Sequence, residues 1–205
     1  PAFNNIAGLK RQLGNHQEAI DLFKRAIQAD PKLIQSYVGA AQSFLALGDL
    51  DQAESFAAQA IAINESAPGI NEILGLVFQN KNDIDQAIEC YQKELEINPQ
   101  ASNSLLNFGC LLLQKGQTAA AVESLLKAST LAPSDQCSLL LAQAYKTLGQ
   151  FKEAIVVYKK LDINQSKNKM IPFNLGLCML KTGNNIDAIE VFKLAVQLDE
   201  SFLPA

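Results

Sequence analysis

Residues 101–134 read ASNSLLNFGCLLLQKGQTAAAVESLLKASTLAPS, and both halves of this stretch carry apolar side chains at intervals of three and four residues. These apolar positions are Leu105, Phe108 and Leu112 in the first half and Val122, Leu125 and Leu126 in the second. Such spacing places them on one face of a helix. Gly116 lies between the halves, where glycine tolerates the left-handed conformation that ends a helix. The stretch therefore predicts two helices joined by a tight turn.

The same pattern recurs along nearly the whole chain. An alanine stands five residues after a glycine or asparagine at six places, separated by 34, 34, 34, 33 and 34 residues: Ala19, Ala53, Ala87, Ala121, Ala154 and Ala188. Twelve residues before each of them comes another small residue: Ala7, Ala41, Gly75, Gly109, Ala142 and Gly176. Small residues let two helices approach closely, and in most units a large side chain four residues after the alanine fills the space beside them.

Six such units predict twelve antiparallel helices. Their expected bounds are residues 3–13, 17–29, 33–47, 51–63, 67–80, 84–97, 101–115, 118–131, 135–148, 151–163, 168–182 and 185–198. The interval resembles that of the tetratricopeptide repeat (TPR), whose period is ~34 residues. The resemblance implies an all-α fold, namely a right-handed α-solenoid of six TPR helix-turn-helix repeats. It predicts one array over residues 1–205, with repeats at about 1–32, 33–66, 67–100, 101–134, 135–167 and 168–201.

The sequence departs from the family pattern at several positions. Glu94 and Leu161 replace a small residue of the second helix, and we expect them to loosen their repeats. Residues 199–205 are similar to the start of a seventh repeat, which predicts that the chain is a fragment of a longer protein. Because no polar capping helix follows the sixth repeat, we also expect the array ends to associate with a neighbouring copy.

Composition argues against most other function classes. The net charge is −4, so neither nucleic acid nor an anionic membrane is the expected partner. His16 is the one histidine, which excludes sites built on several imidazoles. The cysteines Cys90, Cys110, Cys137 and Cys178 contain no C-x-x-C pair, which favours buried thiols in the cytoplasm over a metal centre. We therefore predict no catalysis in this segment, no cofactor and no metal.

The TPR resemblance implies that function lies on the concave groove lined by first helices. Asn5, Asn107 and Asn174 each stand two residues before the small residue of a first helix. They resemble the asparagine ladder in the TPR superhelix of O-linked N-acetylglucosamine transferases, and an amide can pair with a peptide group. We expect Asn107 and Asn174 to be exposed. They either contact a ligand or are simply polar groups on a solvated face. The remaining predicted groove residues are Gln42, Leu106, Cys110, Gln143, Lys146, Leu177 and Lys181.

Three functions fit these observations. The first is a non-catalytic protein–protein interaction module that binds a peptide or protein segment in the groove. The second is the substrate-recognition region of a larger enzyme, such as a glycosyltransferase similar to the O-linked N-acetylglucosamine transferases. The third is a scaffold that assembles with copies of itself. The groove positions of the later repeats are more apolar than those of the early ones. This favours a hydrophobic peptide or a partner helix as the ligand, unless the array itself covers the apolar surface.

Overall fold

The computed structural model describes residues 2–162 and 168–198. Within these residues the backbone forms twelve α-helices and the predicted all-α architecture is confirmed. The helices are α1 (Ala2–Gln12), α2 (His16–Ala29), α3 (Ile34–Leu47), α4 (Leu50–Ile63), α5 (Ile70–Asn80), α6 (Ile84–Ile97), α7 (Ser102–Gln114), α8 (Thr118–Leu131), α9 (Asp135–Thr147), α10 (Phe151–Tyr158), α11 (Met170–Lys181) and α12 (Asn185–Leu198). Odd-numbered helices are the first helices of the six pairs, and even-numbered helices are the second helices.

The chain divides into two compact units, unit 1 with residues 1–104 and unit 2 with residues 105–205. In unit 1 each helix from α1 to α6 packs on the next, and the first helices α1, α3 and α5 also contact one another in turn. In unit 2 the helices from α8 to α12 likewise pack in chain order. Each helix pair therefore buries its apolar surface mainly against its neighbours, as repeat proteins do.

The small residues mark the place where the two helices of a pair touch. A methyl group added at Gly75 would lie 2.7 Å from the ring of Tyr91, and one added at Gly176 would lie 2.7 Å from the ring of Phe192. Both distances are shorter than van der Waals contact, so a larger residue would push the helices apart. The alanines of the second helices are fully buried: Ala19, Ala53, Ala87, Ala121, Ala154 and Ala188. The packing predicted from these two sequence columns is confirmed.

The turn inside a pair contains a residue in the left-handed conformation. Gly48 follows α3 with φ of 79°, and Asn82 stands at the equivalent place after α5 with φ of 61°. Asparagine adopts this conformation more easily than other residues with a side chain. This explains why the repeat accepts either glycine or asparagine at this position.

Most helix bounds agree with the predicted ones to within two residues, and two differ by three residues or more. The fifth helix begins at Ile70 and not at residue 67, because Asn64 holds the preceding segment in a turn by accepting a 3.0 Å hydrogen bond from the Ser66 backbone N–H. The tenth helix ends at Tyr158, whereas we predicted residue 163, which lies outside the described residues. Leu161 is buried just beyond this end.

Glu94 replaces that small residue in α6, yet it is buried. Its side chain is 1% exposed, and Oε1 accepts a 2.7 Å hydrogen bond from the backbone N–H of Gly69. Gly69 precedes the first residue of α5, where the helix dipole favours a negative charge. Oε1 thus links two consecutive repeats at the start of the helix that follows, which argues against a loosened contact, whereas Oε2 is buried with no hydrogen-bond partner among the described residues. The stability of Glu94→Ala tests the expectation of a loosened contact at this position.

We predict that Ala121→Glu strongly destabilises the fold. Ala121 has no exposed surface, so a glutamate there both overpacks the helix contact and buries a charge, at a cost of about 3 kcal/mol or more. Thermal and urea unfolding followed by circular dichroism measure the effect. Ala120→Glu is the matched control, because Ala120 is exposed on the same helix. Equal melting temperatures for the two variants would contradict the packing.

We also predict that Glu94→Ala destabilises unit 1, although alanine is the usual residue at this place in the other repeats. The substitution leaves the Gly69 N–H without its charged partner, which costs about 2 kcal/mol. Urea unfolding measures this loss. Glu89→Ala, which breaks an exposed ion pair with Lys93 on the same helix, should cost less than about 0.5 kcal/mol. A gain of stability in Glu94→Ala would refute the capping role.

Candidate functional site

The asparagine column does not lie uniformly on open surface. Asn5 is exposed on α1 and Asn107 is half-buried on α7. At the same position of α3, Gly39 packs directly beneath the ring of Phe23 from the preceding repeat. Asn174 on α11 is only 4% exposed, so the expectation of an exposed side chain there is wrong. The reason is that this position faces the preceding repeat and is covered by it.

Asn174 forms a polar contact inside unit 2. Its Oδ1 accepts a 2.7 Å hydrogen bond from Nζ of Lys146 on α9. Tyr158 and Cys178 belong to the surrounding core cluster and are fully buried. Burial raises the pKa of the Tyr158 phenol and of the Cys178 thiol, the latter against a smaller lowering by the Lys146 ammonium. Both groups are therefore neutral at physiological pH, and Asn174 serves to hold the Lys146 ammonium in place.

The other predicted residues of unit 2 also lie on first helices. Lys181 is exposed at the end of α11. The half-buried ones are Leu106 and Cys110 on α7, Gln143 on α9 and Leu177 on α11. Burial raises the pKa of the Cys110 thiol, which makes it a poor nucleophile. Lys146 and Asn174 are the only two of the predicted residues that a side-chain hydrogen bond joins within the described part of the chain. We name Leu106, Asn107, Cys110, Gln143, Lys146, Asn174, Leu177 and Lys181 the unit-2 site.

In unit 1 the predicted residues are Asn5, exposed on α1, and Gln42, half-buried on α3. Consecutive first helices are also connected by side-chain hydrogen bonds that the sequence did not predict. Ser36 Oγ donates to Asn4 Oδ1 over 3.0 Å, and Ser104 Oγ donates to Glu72 Oε2 over 2.9 Å. Both bonds join residues 32 positions apart, so a search for polar pairs at that interval would have found them.

Charge is distributed unequally between the two kinds of helix. The first helices carry four basic and two acidic residues: Lys10, Arg11, Lys146, Lys181, Glu72 and Asp135. The second helices carry six basic and twelve acidic residues. The positive surplus on the first helices favours an anionic ligand group there, and the negative surplus on the second helices favours a cationic one.

The described residues show no arrangement for metal chemistry. Over residues 2–162 and 168–198, no three His, Cys, Asp or Glu side chains come together as a metal site. The same residues contain no helix that is long and apolar enough to cross a membrane. Chemically, the residues of the unit-2 site offer two ammonium groups, three side-chain amides and two leucine side chains, which suits binding.

Comparison with known proteins agrees with the repeat fold. Family models described as "Tetratricopeptide repeat" match residues 1–66 and 38–102, and one described as "Anaphase-promoting complex, cyclosome, subunit 3" matches residues 80–161. BBSome complex member BBS4 of Bos taurus is 28% identical over 185 residues, which cover 89% of this chain and 35% of that protein. The chain therefore spans about a third of the length of this relative.

Two further similarities are more distant. The peroxisomal targeting signal receptor of Saccharomyces cerevisiae is 32% identical over 88 residues, which cover 42% of this chain and 14% of the receptor. The solved structure of YrrB, described as a TPR protein with an unusual peptide-binding site, has a TM-score of 0.80 at 19% identity and covers 88% of this chain and 93% of its own. With paired helices, a 34-residue interval and these matches, the chain belongs to the tetratricopeptide-repeat family.

Proposed function

We propose that this chain is a non-catalytic interaction module that binds a peptide or protein segment on its first helices. The unequal distribution of charge supports this surface, because a ligand lying there meets basic and amide groups with little acidic repulsion. The relatives support the class of partner. The bovine relative is a member of the BBSome complex, and the yeast relative is a receptor for a targeting signal.

Lys146 is the observation that carries the proposal for unit 2. Its ammonium is half-buried and bonded to the amide of Asn174, and it has no carboxylate partner among the described residues. A cation held in place without a counter-charge can form a charge-assisted hydrogen bond with a ligand carboxylate. Leu177, half-buried on α11, adds apolar surface. The ligand that fits the unit-2 site is therefore a peptide segment with an acidic group next to an apolar side chain.

The remaining properties follow from charge and thiol chemistry. A net charge of −4 supports a protein partner over nucleic acid or an anionic membrane surface. All four cysteines are free, which supports a reducing compartment such as the cytoplasm. We further propose that residues 1–205 form one array. The role within a larger glycosyltransferase remains a prediction that rests on the asparagine column, of which Asn5 and Asn107 have exposed surface.

We predict that Lys146→Met weakens peptide binding about tenfold, because it removes a charge-assisted hydrogen bond. Peptides selected from a random display library against the 205-residue chain serve as ligands, and fluorescence polarisation measures their affinity. Asn107→Ala should weaken the same peptides less, since it removes one neutral hydrogen bond. Selected peptides should carry an aspartate, a glutamate or a free C-terminus.

Lys152→Met on α10 is the matched control, because Lys152 is an exposed lysine of a second helix. Its affinity should equal that of the unaltered chain. Peptides without acidic groups, or affinities that fall equally in Lys146→Met and Lys152→Met, would exclude the unit-2 site as the binding surface.

A second candidate function is self-association, which the apolar face of α1 favours. Ile6 is 46% and Leu9 61% exposed. The residues equivalent to Leu9 in the later repeats are almost fully buried: Ser43, Val77, Leu111, Ala144 and Cys178. In unit 2, Ile189 on α12 is exposed as well. We propose that the α1 face of one copy can pack on the α12 face of another, which would bury both.

We predict that Leu9→Gln lowers the mass measured by light scattering at high concentration towards the 22.2 kDa of one chain. The substitution places an amide in the apolar contact, which disfavours its burial. Leu47→Gln is the control, because Leu47 is an exposed leucine at the end of α3. Should the unaltered chain itself remain a monomer at high concentration, self-association is excluded.

A further inference from the structure

A pocket of about 330 Å³ opens in unit 1 beside the second helices α4 and α6. Ile61 of α4 and Ile97 of α6 line it with half-buried aliphatic side chains. The rest of the lining is polar and comes from α5, α6 and the segment between α4 and α5. Two aliphatic and five polar residues thus share the lining, which suits a polar or charged ligand group that also carries an aliphatic part.

Asn71 is the polar residue that calls for a partner. It is the second residue of α5, is 5% exposed and lines the pocket. Its side-chain amide forms no hydrogen bond with any described residue. The residue as a whole is nearly buried, but its amide atoms do not belong to the buried unpaired side-chain atoms of the described residues, so the exposed part of Asn71 is the amide that faces the pocket. An amide left unpaired at a pocket wall is therefore placed to pair with a ligand.

The charged groups of the pocket set the sign of that ligand. Glu65 and Glu96 line it together with a single cation, Lys93. The ammonium of Lys93 is already paired with Glu89 over 2.8 Å, and this hydrogen bond, with a smaller contribution from the charge of Glu65, raises the pKa of Lys93. The pocket lining therefore carries more negative than positive charge, and the pocket attracts a cationic group.

The segment that carries Glu65 is held in place from both sides. Asn64 Oδ1 accepts a hydrogen bond from the Ser66 N–H over 3.0 Å, and Glu94 Oε1 accepts one from the Gly69 N–H over 2.7 Å. A site that is already ordered loses less conformational entropy when it binds. The pocket is thus formed before any ligand enters.

We propose that this pocket binds an arginine side chain of a partner peptide. The guanidinium would donate to the carboxylate of Glu96 or Glu65 and, at the same time, to the carbonyl oxygen of the Asn71 amide. The guanidinium group is planar and has five N–H donors, so it can donate to both acceptors at once. The ammonium of lysine is a compact point charge without this fixed geometry. The aliphatic stem would lie against Ile61 and Ile97. This site is formed by different residues from the surface proposed above and does not depend on that function.

The test titrates acetyl-Gly-Arg-Gly-amide into the ¹⁵N-labelled 205-residue chain and follows the amide resonances. We expect millimolar binding that shifts the resonances of Ser66, Asn71 and Lys93. The matched peptide with citrulline, which has nearly the same shape without the charge, should bind at least about tenfold more weakly. Glu96→Gln and Asn71→Ala should each weaken the arginine peptide about five- to tenfold.

Glu123→Gln is the matched control in unit 2, because Glu123 pairs with Lys127 on α8 as Glu89 pairs with Lys93 on α6. It should leave the affinity unchanged. Glu96 is exposed, so its variant tests the site even if Asn71→Ala unfolds, which circular dichroism reports. Equal binding of the citrulline peptide, shifts confined to other residues, or unchanged affinity in Glu96→Gln would overturn the proposal. Tighter binding of free arginine or spermidine than of the peptide would overturn the peptide as the source of the cation.

Discussion

The contact between a small residue of a first helix and a large side chain of its second helix is the constraint on which the structure depends. At Gly75 and Gly176 the facing rings lie so close that even a methyl group would not fit. Because protein interiors are close-packed, this contact sets the distance between the helices of a pair. The apolar faces that remain can then be buried only against the neighbouring pair, and this makes the fold an array.

Three of the buried polar residues carry a carboxylate or an amide, and each has a specific consequence. Glu94 replaces a small residue and caps the next helix through the Gly69 N–H. Asn174 lies at a contact between repeats and holds the ammonium of Lys146. Asn71 lies at a pocket wall with its amide unpaired among the described residues. Since burying a polar group without a partner is costly, Asn174 is explained by its contact, and Glu94 only through Oε1, because its Oε2 has no partner among the described residues. The amide of Asn71 reaches the pocket and so points to a ligand.

The two kinds of helix give the chain two surfaces with opposite charge preference. The first helices carry more basic than acidic residues, and the second helices carry twice as many acidic as basic residues. We propose that the first helices of a unit can hold an acidic segment while its second helices hold a basic one. Opposite charge preferences would also help to select partners and fix their orientation.

The sequence by itself determined the helices, their pairing and the small–large contacts, because each follows from residues spaced by one turn or one repeat. It also placed Lys146 and Asn174 on first helices. Only the tertiary structure decided that these two side chains, 28 residues apart in the sequence, form a hydrogen bond, that Asn174 is buried, and that Asn71 lines a pocket built from four segments. The physical reason is that local spacing defines which face of a helix is apolar, whereas the partner of a polar side chain depends on how helices from different repeats pack.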